Sequence, residues 1–125
     1  MLKELGLKKK SELASLGSEP NEICYRLLQS AIYETLTGVF GQTVHEHLRR
    51  HLEEKYHVSD KELPNRLDIL CNVLEGLLGP IASATVGRAI ARNLYGKLGI
   101  EFVAKKGCEL PYYVLKARSW ISSHK

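Results

Sequence analysis

Histidine is the commonest metal ligand among side chains, and four of the five histidines fall in one stretch: His45, His47, His51 and His57. His47 and His51 are spaced to project from one face of a helix and to share an ion. A zinc site needs three or four donors, and no residue nearby supplies a third at suitable spacing. Glu46 stands among the histidines, but the His-Glu-x-x-His order of a helical metalloprotease is absent. Solvated or packed histidines are therefore the expectation, with no metal and no cofactor. Nor do other residues assemble a reactive set. There is no paired-acid arrangement in an apolar run and no nucleophile with a base at plausible spacing, so the chain reads as a non-enzyme.

Anion chemistry has a better claim. Thr85, Arg88, Arg92 and Tyr95 follow one another at intervals of three and four. Two arginines beside a tyrosine suit a phosphate or a partner's carboxylate; the alternative is a solvated face with arginine stems lying over apolar surface. Lys8, Lys9 and Lys10 form a basic triplet suited to nucleic acid or to an anionic surface, although blocks this short are usually just solvated. The net charge of +4 and sequence pI near 9.0 permit nucleic acid without requiring it.

The elements that position these residues are organised by a repeated stretch. It reads Leu36-Thr37-Gly38-Val39-Phe40-Gly41 and then Leu74-Glu75-Gly76-Leu77-Leu78-Gly79, at an offset of 79 − 41 = 38 residues. Gly41 and Gly79 are placed for the left-handed position that ends a helix. Gly38 and Gly76 lie one turn earlier, where glycine marks close approach of another backbone. All four read as structural hinges. A phosphate loop is excluded, because no strand precedes either joint and no Gly-Lys-Ser/Thr follows. The apolar ladder Val44, Leu48, Leu52, Tyr56 after the first joint is matched by Ala82, Val86, Ile90, Leu94 after the second. Two copies of a helical hairpin, and hence a four-helix unit, are expected.

Taken in order, residues 1–17 form an N-terminal arm in which Ser11 caps a short turn ended by Gly17. Ser18-Glu19-Pro20 then opens a helix over 19–40, with Ile23, Leu27, Leu28, Ala31, Ile32, Leu36 and Val39 as its buried stripe. Thr43 to Glu46 has the pattern of a capping box for a second helix ending near Tyr56. Along it, Glu46 with Arg50 and Arg49 with Glu53 are expected i, i+4 pairs. Ser59 to Glu62 is a second capping box before Pro64. Leu67, Leu70, Cys71, Leu74, Leu77 and Leu78 give the third helix its stripe. Gly79-Pro80 restarts the chain into a fourth helix over 80–98, closed by Gly99. From Leu110-Pro111 a last helix is expected, with a hairpin of 100–104 against 112–116 as the alternative.

The chain of 125 residues suffices for one domain. No apolar run approaches the ~20 residues of a membrane span, and the start of the chain lacks a signal-peptide core. Cys24, Cys71 and Cys108 are odd in number and far apart, which reads as reduced thiols in the cytoplasm.

The Leu-x-Gly-x-Phe-Gly joint, the run His47-Leu48-Arg49-Arg50-His51-Leu52-Glu53-Glu54-Lys55-Tyr56, Pro64, the second joint and Asn93-Leu94-Tyr95-Gly96-Lys97-Leu98-Gly99-Ile100 together resemble a small archaeal helical family. This is the nitrosopumilus-output-domain type, and the resemblance covers about residues 20–100. It implies an all-helical cytoplasmic module, alone or as an output domain in signalling proteins. It supplies no catalytic residues.

The expectation is thus an all-α bundle: an arm (1–17), a domain of two repeated hairpins (18–100) and a tail (101–125) packed on the domain or on a partner. The function expected is a non-enzymatic interaction or regulatory module forming a homodimer. Tyr112, Tyr113 and Trp120 of the tail are the candidate interface, since they follow a unit that has already closed its core. The alternative for the tail is a fifth element that caps the core. The alternative functions are a nucleic-acid-binding regulator using Lys8, Lys9, Lys10, Arg88 and Arg92, and a small-ligand or metal sensor built on His47 and His51.

Overall fold

Helical periodicity over most of the chain gives helices over most of the chain. The computed structural model describes residues 20–106 and 109–123, and among these there are helices and no strands. Helix α1 runs from Pro20 to Tyr56 and is broken by Gly41, whose φ of 86° and ψ of 165° are not helical. A 3₁₀ turn (Leu63–Asn65) leads into α2 (Leu67–Leu78). Gly79 separates α2 from α3 (Pro80–Leu98), and α4 (Leu110–Ser123) closes the described chain. The tail is therefore a helix, not a hairpin of strands. The N-terminal arm lies outside the described residues.

The two joints are made alike. Gly79 has φ 89° and ψ 166°, within a few degrees of Gly41. The expected left-handed helical cap is not what either adopts. Both sit in the extended positive-φ region that only glycine occupies freely. Gly99, by contrast, is the left-handed cap that the sequence suggests, with φ 74° and ψ 24°. There Ile100 N–H reaches Tyr95 O at 3.1 Å and Gly99 N–H reaches Gly96 O at 3.2 Å, the two bonds of a Schellman motif. Gly38 and Gly76 do not mark close approach: both are exposed, and a Cβ at either would meet nothing within 4 Å.

At Gly41 the chain folds back on itself. Tyr33 and His45 would be about 18 Å apart along an unbroken helix, yet their rings meet edge-to-face with centroids at 5.1 Å. The glycine acts as the cap, and residues 42–44 are already helical. The capping box expected at Thr43 is thus not what starts the second limb. Glu46 turns instead to Arg49, which also faces Glu53 and Asp60, each at 3.9 Å. The second box forms in part, with Ser59 N–H donating to Glu62 Oε1 at 2.9 Å.

The core lies where α1, α3 and α4 pack on one another, with α2 against α3. Ile23, Leu27, Leu36, Leu52, Leu70, Ile90, Leu94 and Ile121 are among its fully buried side chains. α4 belongs to this core. Tyr113 is 2% exposed, and Val114, Ala117 and Ile121 are buried with it. Of the tail aromatics Tyr113 is interior and not a surface, while Tyr112 and Trp120 are half-buried against the core. The physical reason is that the two hairpins leave an apolar side open, and an amphipathic fifth segment covers it.

Candidate functional site

Two clefts lie in the crooks of the two hairpins. The first, about 270 Å³, is lined by Arg26, Gln29, Ser30, Ile32, Tyr33, His45, Asp60 and Leu63. The second, about 180 Å³, lies between α2, α3 and the start of α4, where Cys71, Glu75, Ser83, Arg88 and Glu109 supply its chemistry. Cys71 and Ser83 of the second cleft stand 38 residues after Tyr33 and His45 of the first; the other lining residues do not correspond at that offset.

The first cleft holds the more unusual group. His45 is 3% exposed, and its Nδ1 has no hydrogen-bond partner among the described residues. Tyr33, which flanks it, receives a hydrogen bond on its hydroxyl from Gln42 Nε2 at 3.4 Å. In the second cleft, burial pushes the Cys71 thiol up, and Glu109, Asp68 and Glu75 push it further. A protonated thiol is a poor nucleophile.

A polar network that the sequence reading did not single out joins α1 to α3. Lys97 is fully buried, and its Nζ lies 3.0 Å from Glu34 Oε1 and donates to Oε2 at 3.1 Å. Glu34 also accepts from Ser30 Oγ at 3.1 Å and Asn93 Nδ2 at 3.2 Å. Desolvation raises the Glu34 carboxyl, but bonds from Lys97, Asn93 and Ser30 together with the Lys97 charge outweigh it and hold the carboxyl below its ordinary value. Single opposite charges set in apolar runs, Glu34 after Ala31-Ile32-Tyr33 and Lys97 between Leu94 and Leu98, are the signal that points to such a pair.

The other candidate residues are placed as follows. Arg88 donates to Thr85 Oγ1 at 3.3 Å and lines the cleft that also carries Glu75 and Glu109. Arg92 lies over the Phe102 ring at 5.2 Å. Lys8, Lys9 and Lys10 lie outside the described residues. Tyr95 is buried, burial raises its phenol, and as a donor its hydroxyl reaches Tyr113 O at 2.8 Å. Tyr113 Oη in turn accepts from Lys105 N at 2.9 Å and donates to Lys105 O at 3.2 Å, fastening the connection before α4. His47 and His51 are exposed, and among the described residues no group of three His, Cys, Asp or Glu could hold a metal. Nor is any described helix long and apolar enough to cross a membrane.

The two most exposed large apolar side chains stand at the second corner, and Leu115 of α4 and Val103 are exposed as well. Leu77 is 66% exposed and Ile81 83%, on either side of Gly79-Pro80, with Leu78 beside them. Val39 and Val44 are about half exposed on either side of Gly41. Leu77, Leu78, Val39 and Val44 all belong to stripes expected to be buried, so this is a departure from the sequence reading. The ladders run true within the limbs and leave the core at the joints, where no other described helix covers them. Comparison with protein families, with curated proteins and with solved structures gives no match to this chain.

Proposed function

We propose that this chain is a non-enzymatic helical interaction module that self-associates through its hairpin corners. The observation that carries the reading is the exposed cluster of Leu77, Leu78 and Ile81 around Gly79-Pro80. Three large apolar side chains side by side at a corner form a patch of the kind that marks an interface, whereas scattered single ones do not. Val39 and Val44 are half exposed at the Gly41 corner too, although the positions there that match Leu78 and Ile81 are the partly buried Phe40 and the polar Thr43. A second copy is the occupant that matches the cluster around Gly79-Pro80, since a two-fold contact sets the same patch of each copy against its twin. Tyr113 is too buried to take part in this contact. A regulatory use of the contact rests on the resemblance to signalling output modules.

Sedimentation equilibrium of the whole chain tests the proposal. The expected mass at micromolar concentration is that of two chains. Leu77→Lys with Ile81→Lys should give the mass of one, with helicity unchanged, because substitutions at positions this exposed alter stability by only about 0.5 kcal/mol. A single-chain mass for the unaltered protein contradicts the reading.

A further inference from the structure

We propose that the cleft in the crook of the first hairpin binds a small zwitterion, a free amino acid with an apolar side chain. Its lining carries one guanidinium, Arg26, and one carboxylate, Asp60, so the site offers both signs of charge and no net charge from this pair. Each is held loosely by its neighbour within the protein. Arg26 lies 3.5 Å from Glu22, and Asp60 lies 3.9 Å from Arg49, both longer than the ~2.8 Å of a charge-assisted hydrogen bond. Both are thus available to opposite ends of a dipolar molecule. Ile32 and Leu63 give the same cleft an apolar lining for a side chain.

His45 provides the independent observation. It lines this cleft, is 3% exposed, and leaves Nδ1 without a partner among the described residues. Buried polar nitrogens are almost always bonded, and a neutral imidazole has one nitrogen that donates and one that accepts. Nδ1 itself is enclosed by its neighbours, so a carboxylate held by Arg26 reaches it once the imidazole or the Tyr33 ring against it shifts toward the cleft. The volume, about 270 Å³, lies just below the ~300–1,000 Å³ range of larger ligand sites and suits a molecule of amino-acid size. The cleft by α2 and α3 has Ser83 38 residues after His45, and no unpartnered buried nitrogen is found there among the described residues. The site is therefore specific to the first hairpin.

The test is titration of the whole chain with leucine, with 4-methylpentanoate, which lacks the ammonium, and with 3-methylbutylamine, which lacks the carboxylate. Heat and the ring resonances of His45 are followed together. Leucine should saturate and move the His45 resonances, with each truncated compound weaker by about tenfold or more. Arg26→Gln should weaken leucine and the carboxylate but not the amine. Asp60→Asn should weaken leucine and the amine but not the carboxylate. Neither residue is part of the core, so both variants should keep their fold, checked by helicity. The proposal is overturned if leucine gives no saturable signal at millimolar concentration. It is equally overturned if 4-methylpentanoate binds as tightly as leucine, which makes the cleft a simple anion site, or if neither variant alters leucine binding. Self-association is read separately by mass, so failure here leaves that reading intact.

Discussion

Glu34, bonded to the buried Lys97, contributes to the acid side of the stability profile, together with Glu46, Glu62 and Asp68. The carboxyl of Glu34 sits below its ordinary value in the fold. Its stabilising contribution is therefore fully present above the ordinary carboxylate range, near ~4.3, and is lost as pH falls through the lower folded value. Because the Lys97 bond and charge supply much of that depression, Lys97→Met should flatten the loss. Urea denaturation of both proteins from neutral pH to about pH 3 measures this; parallel profiles would remove the pair from the explanation. Tyr113 makes a second case at this scale. Tyr113→Ala should cost about 3–5 kcal/mol, as expected for a buried aromatic, and Tyr113→Phe about 1 kcal/mol for the lost hydroxyl bonds. A near-neutral Tyr113→Ala would show that α4 is an appendage and not part of the core. The setting of Lys97 in an apolar run is a sequence signal that the reading passed over, and Tyr113 has none. Lysine reads as surface by default, and a tyrosine in a tail beyond an apparently complete bundle reads as interface. Only the packing of α4 on α1 and α3 decides otherwise.

At the scale of elements, the glycines divide into two pairs with opposite expectations. Gly41 and Gly79 hold φ of 86° and 89° with ψ of 165° and 166°. Alanine at either has open space for its Cβ, so its cost is backbone strain alone, about 1–3 kcal/mol. Alanine at Gly38 or Gly76, exposed within helices, should instead stabilise by up to about 1 kcal/mol. Thermal unfolding of the four variants separates the pairs, and the same sign for all four would refute the assignment. Helix positions, the 3₁₀ turn after Ser59, the close at Gly99 and the final helix are legible in the sequence because period, proline and glycine act locally. The start at Thr43 is misread because the sharper reversal at Gly41 already begins the limb. Close packing at Gly38 and Gly76 is misread because a mid-helix glycine indicates space, and here that space faces solvent.

For the molecule as a whole, apolar period tells which face of a helix is buried but not where its neighbour ends. Leu77, Leu78, Val39 and Val44 therefore read as core and emerge as surface. The candidate sites follow the same rule. His45 reads with His47 and His51 as one cluster, yet the reversal at Gly41 turns it against Tyr33 and leaves the other two outside. The corners, not the tail, are the surface on which the account rests. Methyl resonances followed through a dilution series from high to low micromolar concentration test it most directly, since they report both that copies meet and where. The account predicts that the methyls of Leu77, Leu78 and Ile81 shift together along one isotherm while those of Ile90 and Leu94 stay fixed. Corner methyls that do not respond to dilution, or a shift confined to α4, would contradict it.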